Sequence, residues 1–564
     1  MSKLLLLIKQ LFIFLCASIF SLSVSSFSPL DPILWPDPNF QQKLTFIKYA
    51  NFKKPRGAIP FEGTLTKHIS IDPSPIEKKY RIISDTLELN KNYKVLNSFS
   101  DVDFSFKIKD SIIVPFNRSL ISVKDSYWDI QLGVGSVWLD DFGNIRSSMP
   151  FALIQKNQNC VHNGVLVFDM TEGGDISNIV YQIASETCSY FKFDLIGSLK
   201  VTSIGDIDQQ DDVYSEYKNW ADSKINVRSI EKVEEHKSLG HLKEVDPVHM
   251  TVYGFLDDQT HFRSVCKTRW GNYPYCSEKL LPSYSLSKSL FAALAMSKLE
   301  EDYPNIVNEQ IQGYVPECKQ KKWIGVNFGH ALNMATGHFT NKKWYSEDWY
   351  LRKNNYSSLY THKDKIKMAC SIFPKKAIPG TKFTYHSSET YILGVAMNNF
   401  LKSKKGPQAD VYRDLMIPIW KELQLSPATY KTRRTLDSVR QPFAGSGMFL
   451  ITDDVIKLGK YFLEQRSEVQ EGILNKALQN DTENRGLTAI ENVLYYNRGF
   501  WAKKFRGSTL DCNEDVWIPF MSGYGGITVA LMPNNTIYYY FSDNQDFSWD
   551  RAAFASNKMK PFCN

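Results

Sequence analysis

The feature that most constrains the fold is a change of pattern near residue 247. Before it, from residue 27 to about 225, short β-branched and apolar runs alternate with Gly, Asp and Asn turns. Examples are Ile130-Gln-Leu-Gly-Val-Gly-Ser-Val-Trp-Leu139 and Gly164-Val-Leu-Val-Phe-Asp169. After it, His249-Met-Thr-Val-Tyr-Gly-Phe255 reads as a strand, and helical periodicity dominates from about 286 to 480. Strand patterns return at 495–505 and 527–542. Strands at both ends of a helical stretch imply one sheet assembled from distant pieces of chain. The expected organisation is a mixed α/β (α+β) domain over 247–564, preceded by a β-rich, sandwich-like accessory domain over 27–225. A charged linker over 226–246, containing Glu231-Lys-Val-Glu-Glu-His-Lys237, is read as solvated.

At 564 residues the chain is too long for one ordinary core. Its net charge of +7 is spread along the sequence, without the concentrated basic stripe of a nucleic-acid binder. The first residues predict a signal peptide over 1–26. Met1-Ser2-Lys3 is cationic, Leu4 to Phe20 is apolar apart from Lys9 and Gln10, and Val24-Ser25-Ser26 offers small residues for cleavage before Phe27. The apolar stretch after Gln10 is short for a bilayer span, and Cys16 follows Leu15 rather than a small residue, which argues against lipid attachment. No later segment is apolar enough to span. A secreted or periplasmic protein is expected.

Past that leader stand eight cysteines, at 160, 188, 266, 276, 318, 370, 512 and 563. An even number in an exported chain predicts disulfides. Consecutive pairing is the expectation, with Cys266 and Cys276 flanking the turn-rich Trp270-Gly-Asn-Tyr-Pro274. Zinc is the rival, but CxxC and HxxxH spacings are missing, so no metal site is expected. Sequons stand at Asn117, Asn355, Asn480 and Asn534.

A serine hydroxyl attacks a carbonyl only when a neighbouring base takes its proton. Serine and lysine three residues apart share one face of a helix, so a Ser-x-x-Lys pair can supply both groups if burial or nearby positive charge keeps the amine neutral. Ser215, Ser229 and Ser264 also precede a lysine at this spacing. Only Ser285-Leu-Ser-Lys288 follows a breaker, Pro282, and leads into an apolar helix, Ser289-Leu-Phe-Ala-Ala-Leu-Ala-Met296. A serine at the start of that helix also has free backbone N–H groups nearby to receive an oxyanion.

From this point the chain resembles the penicillin-recognising serine hydrolase superfamily over roughly residues 247–564. The nearer branch is similar to class C β-lactamases, family VIII-type esterases, D-aminopeptidases and 6-aminohexanoate-dimer hydrolases. Ser285-Leu-Ser-Lys288 matches the nucleophile motif, and Phe328-Gly-His-Ala-Leu-Asn-Met-Ala-Thr-Gly337 resembles the helix ending in a Thr-Gly turn. Pro379-Gly-Thr-Lys-Phe-Thr-Tyr385-His-Ser387 looks like the stretch with the catalytic tyrosine, and Ala444-Gly-Ser-Gly-Met448 resembles the family's Gly-rich lead into a helix. The resemblance implies a β-lactamase-like antiparallel sheet flanked by helices, with a helical subdomain. It gives Tyr385 the role of sharing protons with Lys288 and protonating the leaving group, and Ser387 the third position of that motif.

In place of the Lys-Thr-Gly of β-lactamases stands Met521-Ser-Gly523-Tyr524-Gly525-Gly526, similar to the Gly-x-x-Gly of esterase and amide-hydrolase members. By that match Gly523 permits close approach of substrate, and Gly525 shares the same edge. The N–H of Tyr524 completes the oxyanion hole with that of Ser285. Loss of the strand lysine removes a cation for a β-lactam or D-alanine carboxylate. His386, His330 and His338 are read as structural.

The expected function is therefore an exported serine hydrolase acting on a small-molecule or peptide ester or amide, without metal or organic cofactor. The alternatives are a D-amino-acid peptidase acting on cell-wall peptides and a catalytically silent binding protein on the same fold.

Overall fold

The computed structural model describes residues 28–39, 43–93, 95–96, 102–124, 126–208, 212–232, 248–341, 343–468 and 471–563. The expected signal peptide lies outside the described residues.

The first unit contains nine strands: β1 (Leu65–Asp85), β2 (Phe104–Lys109), β3 (Ile112–Pro115), β4 (Trp128–Leu132), β5 (Gly135–Leu139), β6 (Ile145–Gln155), β7 (Val161–Met170), β8 (Ile179–Thr187) and β9 (Phe191–Asp206). It is a closed barrel, not the expected sandwich. Neighbours pair antiparallel around the ring β1-β2-β3-β5-β6-β7-β8-β9, and β9 returns to β1. The long β6 makes closure possible. One edge pairs with β7 along its length, while the other is shared by β5 at Ile145–Ser148 and β4 at Phe151–Gln155. Closure removes the free sheet edges that a sandwich leaves.

The barrel interior is filled by alternating side chains, among them Phe104, Phe106, Met149, Phe151, Leu153, Phe168, Tyr181, Phe193 and Leu195. On the outer face, Val165, Val167, Val180, Ala184 and Ile196 join the core of the second unit. β6, β7 and β8 are thus buried on both faces, and polar members such as Arg146, Asp169 and Gln182 are buried with them.

The second unit is built on another nine-stranded sheet. Its members are β10 (Val227–Ser229), β11 (Met250–Asp257), β12 (Thr260–Arg263), β17 (Leu487–Ile490), β18 (Leu494–Asn497), β19 (Phe500–Phe505), β20 (Val516–Gly523), β21 (Ile527–Leu531) and β22 (Ile537–Ser542). Two small ribbons, β13 (Lys267–Thr268) with β14 (Gly271–Asn272) and β15 (Leu281–Pro282) with β16 (Phe449–Leu450), lie between them in sequence. The order is β10-β12-β11-β22-β21-β20-β19-β18-β17, so β11 pairs with β22 nearly 300 residues further on. Residues 227–229 were expected in the linker. Their backbone instead pairs parallel with β12, forming an edge strand without needing an apolar pattern of its own; residues 233–247 lie outside the described residues.

Side chains alternate across this sheet. Ile537, Tyr539 and Phe541 face a helical layer that includes Thr452–Glu468, while Tyr538 and Tyr540 pack with Trp549, Ala552 and Ala553 at the C-terminal helix Asp550–Met559. Among the described residues no helix is long and apolar enough to cross a membrane.

The cysteines pair consecutively, Cys160–Cys188, Cys266–Cys276, Cys318–Cys370 and Cys512–Cys563. His162 lies beside the first pair in a metal-like grouping, but the disulfide takes both sulfurs out of thiolate form. The amide nitrogen of Asn534 is buried and donates to Ser556 Oγ at 3.0 Å and Lys560 O at 2.7 Å, so this sequon is committed to packing.

Ion pairs join the two units. Arg433 pairs with Asp129 and donates to the Ile154 and Gln158 carbonyls, and Arg269 forks onto Glu186 at 2.7 Å. Both charges of the first pair are almost fully buried, so each depends on the other.

Candidate active site

β15 delivers the chain into a tight turn, Tyr284–Leu286, and a helix starts at once. Its first turns, Lys288–Ala293, are π-wound, and Leu294–Asp302 continues as α-helix. Ser285 sits at the head of this helix, as its position after Pro282 predicts. Tyr284, just before it, is held at φ +40°, a left-handed conformation that a bulky residue rarely adopts.

Lys288 Nζ lies 2.8 Å from Ser285 Oγ, 3.1 Å from Ser387 Oγ and 3.3 Å from the Gly445 carbonyl. The lysine is 2% exposed. Burial pushes its pKa down to about 8; Arg352 pushes the same way and the nearby Asp348 opposes them. Asp348 is occupied with Ser387, accepting from its N–H at 2.6 Å and its hydroxyl at 3.0 Å. The amine is thus held by three neutral oxygens.

Tyr385 approaches Ser285 from the other side. Its phenol is close enough for the Ser285 side chain to pull its pKa down against the effect of burial, and its ring centroid stands 5.0 Å from Lys288 Nζ. Burial pushes the phenol well above its usual range, with the Asp348 charge adding to the effect, so Tyr385 stays protonated at neutral pH. The ring stacks on Trp501 at 5.6 Å and meets Tyr496 edge-on, which fixes its aim.

The end of β20 forms the opposite wall. A Cβ at Gly523 would lie 2.9 Å from the Ser283 carbonyl and 3.0 Å from Leu286, so glycine lets the strand close on the nucleophile turn. The Tyr524 ring lies 5.6 Å from that of Tyr284, beneath the Arg352 guanidinium at 4.0 Å. Gly525, at φ +95°, shapes the turn into β21, its carbonyl accepting from Gln545 N at 3.1 Å. Ser285, Lys288, Tyr385 and Ser387 therefore come together, Gly523 and Tyr524 border them, and Gly525 supports the border.

The three histidines have packing partners. His386 Nε2 is 3.0 Å from Glu389, both about 1% exposed; His330 caps its helix with Asn327; His338 stacks on Trp323 at 4.2 Å.

Sequence reasoning missed the barrel's contribution. Asn159, in the turn between β6 and β7, is 2% exposed and enters the second unit. Its Oδ1 accepts from Tyr284 N at 2.9 Å, Gly447 N at 2.7 Å and Ser283 Oγ at 3.3 Å, while its Nδ2 donates to Met448 O at 3.3 Å. One side chain thus ties the turn carrying Ser285 to the Gly-rich segment whose Gly445 carbonyl holds Lys288. Asp348 and Arg352 were missed too. None of the three belongs to a motif, and only the fold brings them to the site.

No family model matches the chain, and no curated protein matches it. Solved structures do. A protein assigned as a 6-aminohexanoate-dimer hydrolase from Bacillus anthracis is 16% identical, covering 62% of this chain and 93% of its own, with a TM-score of 0.41. A class C β-lactamase mutant is 12% identical over 59% of this chain and 100% of its own, at 0.39. A penicillin-binding protein homologue from Caulobacter crescentus is 13% identical over 57% of this chain and 94% of its own, at 0.38.

Proposed function

We propose that the chain is an exported serine hydrolase that cleaves an ester or amide through an acyl-enzyme on Ser285. The observation that carries this reading is the buried Lys288 amine, 2.8 Å from Ser285 Oγ and pushed down to about 8 by burial, so that about a tenth is free base at pH 7 and about half at pH 8.

In this mechanism the Lys288 amine takes the Ser285 proton as Oγ bonds to the carbonyl carbon. The N–H groups of Ser285 and Tyr524 receive the oxyanion, each worth about 3 kcal/mol. As the carbon–leaving-group bond breaks, Tyr385 gives its phenolic proton to the leaving oxygen or nitrogen and recovers one from the Lys288 ammonium. Water then attacks the acyl-enzyme along the same proton path and frees Ser285.

The test is turnover of three substrate classes, short acyl esters, D-alanyl peptides and a chromogenic cephalosporin, with Ser285→Ala as control. Hydrolysis of the esters that disappears in the variant supports the proposal. Preference for D-alanyl peptides transfers the reading to a peptidase, and inertness of folded protein toward all three refutes it.

A further inference from the structure

Beside the catalytic cluster, the barrel tip and the helical layer enclose a cavity of about 130 Å³. Two of its lining residues, Ser387 and Gly445, also hold the Lys288 amine, and Tyr284, next to Ser285, lines it as well, so the cavity borders the catalytic cluster. Asn157 from the barrel lines it too, as does Lys365 in the helix His362–Ser371.

Lys365 is 4% exposed. Its ammonium donates to the Tyr356 carbonyl at 3.1 Å and lies 4.6 Å from the centroid of the Tyr356 ring and 5.0 Å from that of Phe443. No carboxylate among the described residues compensates its burial, which pushes the amine down to about 7. Tyr356 also lines the cavity, and its hydroxyl is buried without a hydrogen-bond partner. A buried cation and an unsatisfied donor on residues that line one cavity are both costly while they lack a polar partner. An anionic oxygen answers both, whereas an apolar group answers neither.

We propose that this cavity is a substrate subsite for a carboxylate, with Lys365 as the residue that selects it. The proposal rests on the hydrolase reading above and narrows the substrate class to esters or amides that carry a carboxylate beyond the scissile group. The cation comes from the helical layer, not from β20 or β21. Asn157 and its neighbour Gln158 make the barrel part of the pocket wall, which gives that unit a role in substrate choice.

The test has two readouts. The first is the kcat/KM ratio of carboxylate-bearing esters to neutral esters of equal length. The series are 4-nitrophenyl half-esters of succinic, glutaric and adipic acid, with the carboxylate on the acyl side, and acetates of hydroxybenzoic acids, with it on the leaving side. The expected ratio is at least tenfold in favour of the anionic ester in one series, falling at least tenfold in Lys365→Met. A ratio near one in both series, or one that Lys365→Met leaves intact, overturns the proposal. The second readout is calorimetric titration of the wild-type chain with glutarate and adipate against their diamides. It needs neither turnover nor a folded variant, so it separates failure of the subsite from failure of the hydrolase reading. Binding of a diacid but not its diamide supports the subsite; equal binding, or none, overturns it.

Discussion

Asn159 is the test of whether the barrel is part of the active site. Its side chain satisfies two buried backbone N–H groups, those of Tyr284 and Gly447. Asn159→Ala leaves both without a partner at about 1–3 kcal/mol each, a total loss of about 2–6 kcal/mol. It also releases Tyr284 from φ +40°, a conformation costing about 1–3 kcal/mol that the surroundings now enforce. When that turn relaxes, Ser285 moves relative to Lys288 and Tyr385, and a shift near 1 Å costs about a hundredfold in rate. Asn159→Asp keeps the accepting oxygen but buries a charge and turns the donation to Met448 into an oxygen–oxygen contact, so it should recover only part of the activity that the alanine variant loses. Urea unfolding gives the stability loss, and the second-order rate of inactivation by a fluorophosphonate gives the reactivity of Ser285. The expected result is a drop of one to two orders of magnitude in that rate for Asn159→Ala, at temperatures where the variant remains folded. Loss of stability with an unchanged inactivation rate would show the residue to be an interface bond and nothing more.

Three further outcomes follow from the same geometry. Acylation needs the free amine of Lys288, so kcat/KM should rise with pH and level off above about 8; a flat profile between pH 6 and 9 contradicts the assignment of the base. Tyr385→Phe keeps the ring on Trp501 but removes the proton donor, so kcat should fall about 10²–10⁴-fold with little change in melting temperature; wild-type turnover would exclude Tyr385 from proton transfer. Arg433→Ala leaves the buried Asp129 carboxylate with only Lys156 at 3.8 Å and the Val123 N–H, and should cost about 3 kcal/mol in urea unfolding; a loss below about 1 kcal/mol would mean the pair does not hold the units together.

What the sequence made legible is what local spacing controls. Ser285 and Lys288 meet because three residues on a helix share a face, and Tyr385 and Ser387 flank one short stretch entering the helix Ser387–Lys405. The patterns at 249–255 and 527–542 pair because each needs a partner strand and the helices between cannot provide one. The barrel was not legible as such. Alternating apolar residues suit a sandwich or a barrel equally, and only the two-sided pairing of β6 decides between them. Asn159 and Asp348 carry no local signal at all. They reach Tyr284 and Ser387 from 125 and 39 residues away, by the docking of whole elements.

The most direct measurement is peptide mapping by mass spectrometry after labelling the folded chain with a fluorophosphonate. The account predicts one covalent adduct, on the peptide containing Ser285, formed faster as pH rises toward 8 and missing in Lys288→Met. A folded chain that stays unlabelled, or an adduct on a different serine, would contradict it.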